Sequence, residues 1–249
     1  MDREIVISHL YQSYGKKEAL CDVSFTIPQG MFGLLGRNGA GKTTLMKTLC
    51  TLLTPKSGEI TVNGIPVSQA GKIREITGYL PQEFSLYPSM SVFEALDYLG
   101  VLSGMEKSLR HRRIKLLLEQ VNLTEQAGKK IKALSGGMKR RLGIAQALLH
   151  DPQIIIADEP TAGLDPEERV RFRQLFQELA REKTVLLSTH IVSDIEEACE
   201  NLAILDGGRL RYTGTVSELL ETTGEPNMER AYLACIHSGK EGSACFGRS

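Results

Sequence analysis

The run GRNGAGKTT, residues 36–44, has the spacing G-x-x-x-x-G-K-[ST]. Its glycines let the backbone curl tightly with its N–H groups turned inward, the arrangement that cradles a phosphate. Lys42 is placed to reach β- and γ-phosphates, and Thr43 to hold Mg²⁺. A helix starting at this point adds roughly half a positive charge at its N-terminus. An ordinary glycine turn would not require the short apolar strand before it and the helical GKTTLMKTLCTLL after it, and both are present.

Hydrolysis of a bound phosphoanhydride needs a metal anchor and a group that aligns water. The stretch IIIADEP offers both at the end of an apolar run: Asp158 for Mg²⁺ and Glu159 for the attacking water. Two adjacent carboxylates there are costly without a cation to share; the bland alternative is a pair of solvated loop acids. His190 ends the next apolar strand, VLLSTH, where it can reach a γ-phosphate or serve a structural purpose. Gln82, after GYLP, can offer its amide to Mg²⁺ or water.

The elements around these residues alternate. The stretches EIVISHLYQSY and ALCDVSFTI predict an opening antiparallel β unit, and GEITVNGIPV a hairpin turning at Asn63-Gly64. Periods turn helical from Ser91 to about His150. Apolar strands then return with helices between them, which indicates a parallel sheet covered on both faces. LAILDGGRLRYTGT reads as a closing hairpin, and the small, polar end SGKEGSACFGRS is expected to fray.

Composition narrows the class. The 249 residues carry 30 basic and 30 acidic side chains, so net charge argues neither for nor against a nucleic-acid partner. The basic run KSLRHRRIK reads first as a solvated helix face. Five separated cysteines, Cys21, Cys50, Cys199, Cys235 and Cys245, form no C-x-x-C pair, and their odd number argues against a disulfide framework. The N-terminus lacks a signal-peptide core, and no apolar run approaches the ~20 residues that span a bilayer. A membrane role is therefore expected to come through a partner.

Together these motifs resemble the ATP-binding subunits of ABC transporters, from YGKKEAL to about Leu220. The resemblance implies an α/β fold: a P-loop NTPase core whose mixed, mainly parallel sheet is flanked by helices, with an antiparallel β subdomain and an inserted α-helical subdomain. One domain of residues 1–249 is expected, with core segments 1–82 and 151–220, a helical signature subdomain 83–150, and a short C-terminal tail 221–249. ATP and Mg²⁺ are the implied cofactors. Nucleotide contacts fall on Tyr14, Gly36, Asn38, Gly39, Ala40, Gly41, Lys42, Thr43 and Thr44, with Tyr14 resembling the aromatic that stacks on adenine and Tyr11 a nearby rival. Thr43, Gln82 and Asp158 are the metal positions; Glu159, His190, Lys42 and Gln82 are the catalytic ones. Asp165 belongs to the D-loop AGLD. Met138 and Arg37 depart from the family's commoner glutamine and proline, in segments where the backbone does the work.

The same resemblance gives meaning to ALSGGMKRR, which offers an anion hydrogen bonds but no base or nucleophile. Leu134, Ser135, Gly136, Gly137 and Met138 form the signature, which completes the site of a second cassette in a head-to-tail pair. Lys139, Arg140 and Arg141 either favour the field there or are solvated surface. Implied partners are a second copy or a paralogous subunit and a separate transmembrane permease, with no nucleic acid. The implied location is cytoplasmic, peripheral on the inner face of the membrane. Phe84, Leu86 and Tyr87 either line the permease groove or pack the helical subdomain. The wording around LPQEFSLYPSMSVFEAL looks most like bacterial exporters. Iron–sulfur assembly ATPases and nucleic-acid- or ribosome-associated ATPases remain alternatives; the sequence shows no long heptads and only one cassette.

Overall fold

The computed structural model describes residues 3–238. Strands β1 (Ile5–Tyr14) and β2 (Lys17–Ile27) pair antiparallel, and β4 (Ser57–Val62) joins the other side of β1. A two-residue strand, β5 (Ile65–Pro66), folds back on β4. Asn63 at φ 50° and Gly64 at φ 75° form that turn, both left-handed as a tight primed hairpin requires. The four strands lie in the order β2-β1-β4-β5. Alternation along β1 buries Ile5, Ile7 and Leu10 against the second sheet.

That second sheet holds β3 (Gly30–Leu35), β6 (Thr77–Leu80), β7 (Ile154–Asp158), β8 (Thr184–Thr189), β9 (Asn201–Asp206) and β10 (Arg209–Thr215). Its order is β10-β9-β3-β8-β7-β6, parallel throughout except for β10 on β9. Every residue of β7 and β8 is buried, so continuous apolar runs rather than alternation mark these strands. Helices α1 (Lys42–Leu49), α2 (Ala70–Ile76), α6 (Pro166–Ala180) and α7 (Val192–Ala198) connect them.

Between β6 and β7 come α3 (Val92–Leu102), α4 (Lys107–Gln120) and α5 (Gly136–Ala147). A capping box of Ser91 and Glu94 starts α3. These helices bury Leu96, Ile114, Leu117 and Leu142 in a shared cluster that continues to Ile155 and Phe172 of the sheet layer. The basic run on α4 is only partly solvated. Arg110 is buried, donating to Asp97 Oδ1 at 2.6 Å and to the Met105 carbonyl at 2.9 Å, while Lys107, Arg112 and Lys115 face solvent.

Helix α8 (Val216–Thr223) is followed by α9 (Met228–Ser238), inside the stretch expected to be a tail. Met228, Ala231, Cys235 and Ile236 join Leu35, Ile195 and Ile204 in a third apolar cluster. Burial of that face holds the segment down despite its GEPN start. Residues 239–249, with Cys245, lie outside the described residues. The four described cysteines form no disulfide with one another.

Candidate functional site

Strand β3 feeds the glycine loop into α1. Gly39 and Gly41 take φ values of 82° and 106°, and a Cβ on Gly41 would stand 2.7 Å from the Ala19 carbonyl oxygen. Only glycine closes the loop so tightly against β2. Lys42 opens the helix and is 6% exposed; its Nζ donates to the Gly36 carbonyl at 2.6 Å and the Arg37 carbonyl at 3.3 Å.

The parallel pairing of β7 and β8 sets Asp158 opposite Ser188, so both strands end at one edge, beside the loop after β3. There Thr43 Oγ1 donates to Asp158 Oδ2 at 2.7 Å, and the Ser188 hydroxyl donates to Asp158 Oδ1. Asp158 is fully buried. Glu159 is 4% exposed, with a left-handed φ of 52° that costs roughly 1–2 kcal/mol in a non-glycine residue. Its N–H donates to both the carbonyl and the hydroxyl of Ser188, each at 3.1 Å, which holds the turn. His190 Nδ1 lies 2.7 Å from Glu159 Oε2, and Lys42 Nζ lies 3.6 Å from Oε1.

Lys42 and Glu159 line a cleft of about 430 Å³ with Tyr14, Arg37, Asn38, Gln82 and Asp158 in its walls; His190 is not among its lining residues and meets it through Glu159. Tyr14, half exposed, stands at this cleft; Tyr11 is not among its lining residues. The donor set offered by Thr43, Asp158 and Gln82 is a hydroxyl, a carboxylate and an amide oxygen. It is all oxygen, as Mg²⁺ requires, and a carboxylate already within 2.7 Å of the threonine hydroxyl fits such an ion.

The signature lies elsewhere. None of Leu134, Ser135, Gly136, Gly137 and Met138 lines the cleft of its own chain. Leu134 is buried, while Ser135 and Gly136 are exposed. Ser135 caps α5 by accepting the Met138 N–H at 3.2 Å. Asp165 is exposed and precedes Pro166 at the start of α6, making no side-chain cap of its own.

Three residues escaped sequence reasoning. Ser188, the orienter of Asp158 and Glu159, carries no signal beyond its register in β8. Arg140, read as surface or as a general field, is buried beneath Asp158 and Glu159 with its guanidinium on backbone carbonyls. Arg141 turns to Glu168 at 3.3 Å instead. Tyr232 of α9 approaches the phosphate loop; burial raises the pKa of its hydroxyl, and nearby Arg37 works against that rise.

Residues 20–162 match the family described as ABC transporter. The Nod factor export ATP-binding protein I of Burkholderia lata is 42% identical over 84% of this chain and 70% of its own. The linearmycin resistance ATP-binding protein LnrL of Bacillus subtilis is 37% identical over 87% and 70%. Among solved structures, the dimeric structure of the bacterial ABC transporter cassette MJ0796 superposes with a TM-score of 0.79, 27% identity, and coverage of 85% of this chain and 98% of that one. A P-loop fold, a family match over more than half the chain and relatives that share most of its length lead to one conclusion: the chain belongs to the ABC transporter family, as an ATP-binding subunit.

Proposed function

We propose that this chain hydrolyses ATP to drive export through a separate membrane permease, working as one half of a head-to-tail pair of cassettes. The observation that carries the reading is a division of labour within one chain. Lys42, Asp158 and Glu159 line one cleft, with His190 on Glu159, while Ser135, Gly136 and Gly137 lie outside that cleft, the first two exposed.

In this reading the N–H groups of residues 36–44 and the Lys42 ammonium bind the phosphates, and Tyr14 packs on adenine. Thr43, Gln82 and Asp158 hold Mg²⁺, which when bound neutralises phosphate charge. Glu159, fixed by Ser188 and paired with His190, orients water and accepts its proton. Ser135, Gly136 and Gly137 donate to the γ-phosphate of the other cassette's ATP, with Asp165 beside that interface. Hydrolysis removes the contact that keeps the pair closed.

Residues 1–82 and 151–220 act as the nucleotide-binding core in this proposal, and 83–150 as the signature subdomain. Their shared groove, of about 520 Å³, is lined by Leu52, Glu83, Phe84, Leu86, Leu99 and His150. Phe84 and Leu86 also pack on the helical cluster, so their two readings are compatible. Tyr87 is exposed, edge-on to Tyr98. We assign this groove to the permease. Among the described residues no helix is long and apolar enough to cross a membrane, so the reading places the chain on the cytoplasmic face through that partner. Export follows the name of the Nod factor relative.

Recovery from detergent-solubilised membranes tests it. The chain should co-purify with an integral membrane protein and show ATPase activity that falls on dilution below pairing. Recovery only from cytosol, or turnover independent of concentration, would contradict the proposal.

A further inference from the structure

Arg140 is 8% exposed and sits one turn into α5. A guanidinium has five N–H donors, and here each has a partner. Nε donates to the Pro160 carbonyl at 3.1 Å; one terminal nitrogen donates to the Pro81 and Gln82 carbonyls at 2.8 and 2.9 Å. The other donates to the Asp158 carbonyl at 2.6 Å and to that of Glu159. All five acceptors are backbone carbonyls, drawn from two segments far apart in sequence. One segment presents Gln82 to the nucleotide cleft and, through Glu83 and Phe84, walls the neighbouring groove. The other presents Asp158 and Glu159.

A buried cation whose hydrogen bonds all go to backbone carbonyls is an expensive way to fill space, even with the Asp158 and Glu159 charges nearby. A methionine or leucine would pack there without desolvating a charge. The guanidinium does what no apolar side chain can: its rigid fork ties together the loops that continue the paired strands β6 and β7 beyond Leu80 and Ala157.

We propose that Arg140 is a positioning residue that locks the Gln82 segment to the Glu159 turn, so that the two move as one unit during hydrolysis. A displacement of residues 81–82 at the groove then reaches Glu159 through the Arg140 guanidinium, beyond the last paired residues of β6 and β7. The inference rests on the nucleotide site proposed above and concerns how its two halves are kept in register.

The purified full chain provides the test, with ATP affinity, kcat and thermal midpoint measured on the same samples. Arg140→Lys keeps the charge and loses the fork. We expect ATP affinity within about twofold of wild type and kcat at least about tenfold lower, the scale of a sub-ångström to ångström misplacement of a catalytic group. Arg140→Gln, which has no net charge to desolvate, serves as the second variant if the lysine form is unstable, with the same expectation. Gln82→Ala keeps the carbonyl that Arg140 holds and removes only the amide that the lock positions, so combined with either variant it should lower kcat no further than the worse single change. Unchanged kcat in folded Arg140 variants, losses of ATP affinity that match the losses of kcat, or multiplicative effects with Gln82→Ala would each overturn the lock. Glu159→Gln is the control on the underlying site. If it turns over normally, the site assignment fails and the lock with it; if it is dead while the Arg140 variants are not, only the lock fails.

Discussion

Lys42 Nζ stands 3.6 Å from Glu159 Oε1, with the two side chains 6% and 5% exposed. Burial pushes the lysine below its ordinary pKa, while Glu159 and Asp158 pull it back up. Cation and carboxylates are therefore set against one another in a dry site, where neutralising either is felt by both.

Glu159→Gln keeps the shape and removes the proton acceptor. Turnover should fall by a factor of at least about a hundred, the usual contribution of a general base, with ATP binding retained. ATP and Mg²⁺ should then trap a dimer. Gel filtration that shows only monomer under those conditions counts against the paired site.

Lys42→Ala should act on binding instead. Losing a charge-assisted contact to phosphate costs roughly 1.5–3 kcal/mol, about ten- to a hundredfold in ATP affinity. It also leaves Asp158 and Glu159 short of a cation. Isothermal titration that returns wild-type affinity would remove Lys42 from the cradle.

Much of this was legible before any coordinates, for a physical reason. Residues 36–44, Asp158 and Glu159 follow rules of local spacing: glycines where the backbone must turn, carboxylates where a buried strand ends. Strand β7 announces itself because IIIAD is buried on both faces. Arg140 was illegible because its five partners are carbonyls, which every residue has, so no sequence pattern marks them. Ser188 depends on the register of β8 against β7, which is set by the whole sheet. Helix α9 went unseen because its stability comes from burying Met228, Ala231 and Ile236 against a distant cluster, not from local helix signals.

Ser135→Arg separates the two halves of the proposed pair. The side chain is exposed and outside its own chain's cleft, so ATP binding by one chain should be nearly intact. Loss of the cap on α5 should cost about 1 kcal/mol of stability, visible as a modest drop in thermal midpoint. Dimer closure and ATPase should be blocked. A mutant that hydrolyses ATP at the ordinary rate would refute a role for the signature in trans.

Acid stability should report the start of α3. The Ser91 N–H, followed by its hydroxyl and Lys130, holds Glu94 down at about 2, against an ordinary 4.5. Because the folded pKa is the depressed one, the contribution is complete above 4.5 and is lost as pH falls towards 2. Denaturation of wild type and Glu94→Gln across that window should give two curves. The wild type should lose stability more steeply on acidification, and the gap should stop changing above pH 4.5. A constant difference from pH 2 to 5 would show that the carboxylate contributes nothing by being charged.

Tyr232 offers a last check on how far the nucleotide site extends. It is 8% exposed on α9, and burial raises the pKa of its hydroxyl, which Arg37 contacts. The Arg37 carbonyl in turn accepts the N–H of Ala40 at 3.1 Å and Lys42 Nζ at 3.3 Å. Tyr232→Phe deletes one hydroxyl and leaves the packing of α9 in place. Losing the hydroxyl's interaction with Arg37, worth about 1 kcal/mol, should then appear as a KM for ATP raised about fivefold at unchanged kcat. Tyr232→Ala opens a cavity as well and should destabilise the fold by about 3–5 kcal/mol. If the phenylalanine variant keeps its KM while the alanine variant merely melts earlier, α9 is a strut for Leu35 and Ile204 and has no part in shaping the phosphate loop.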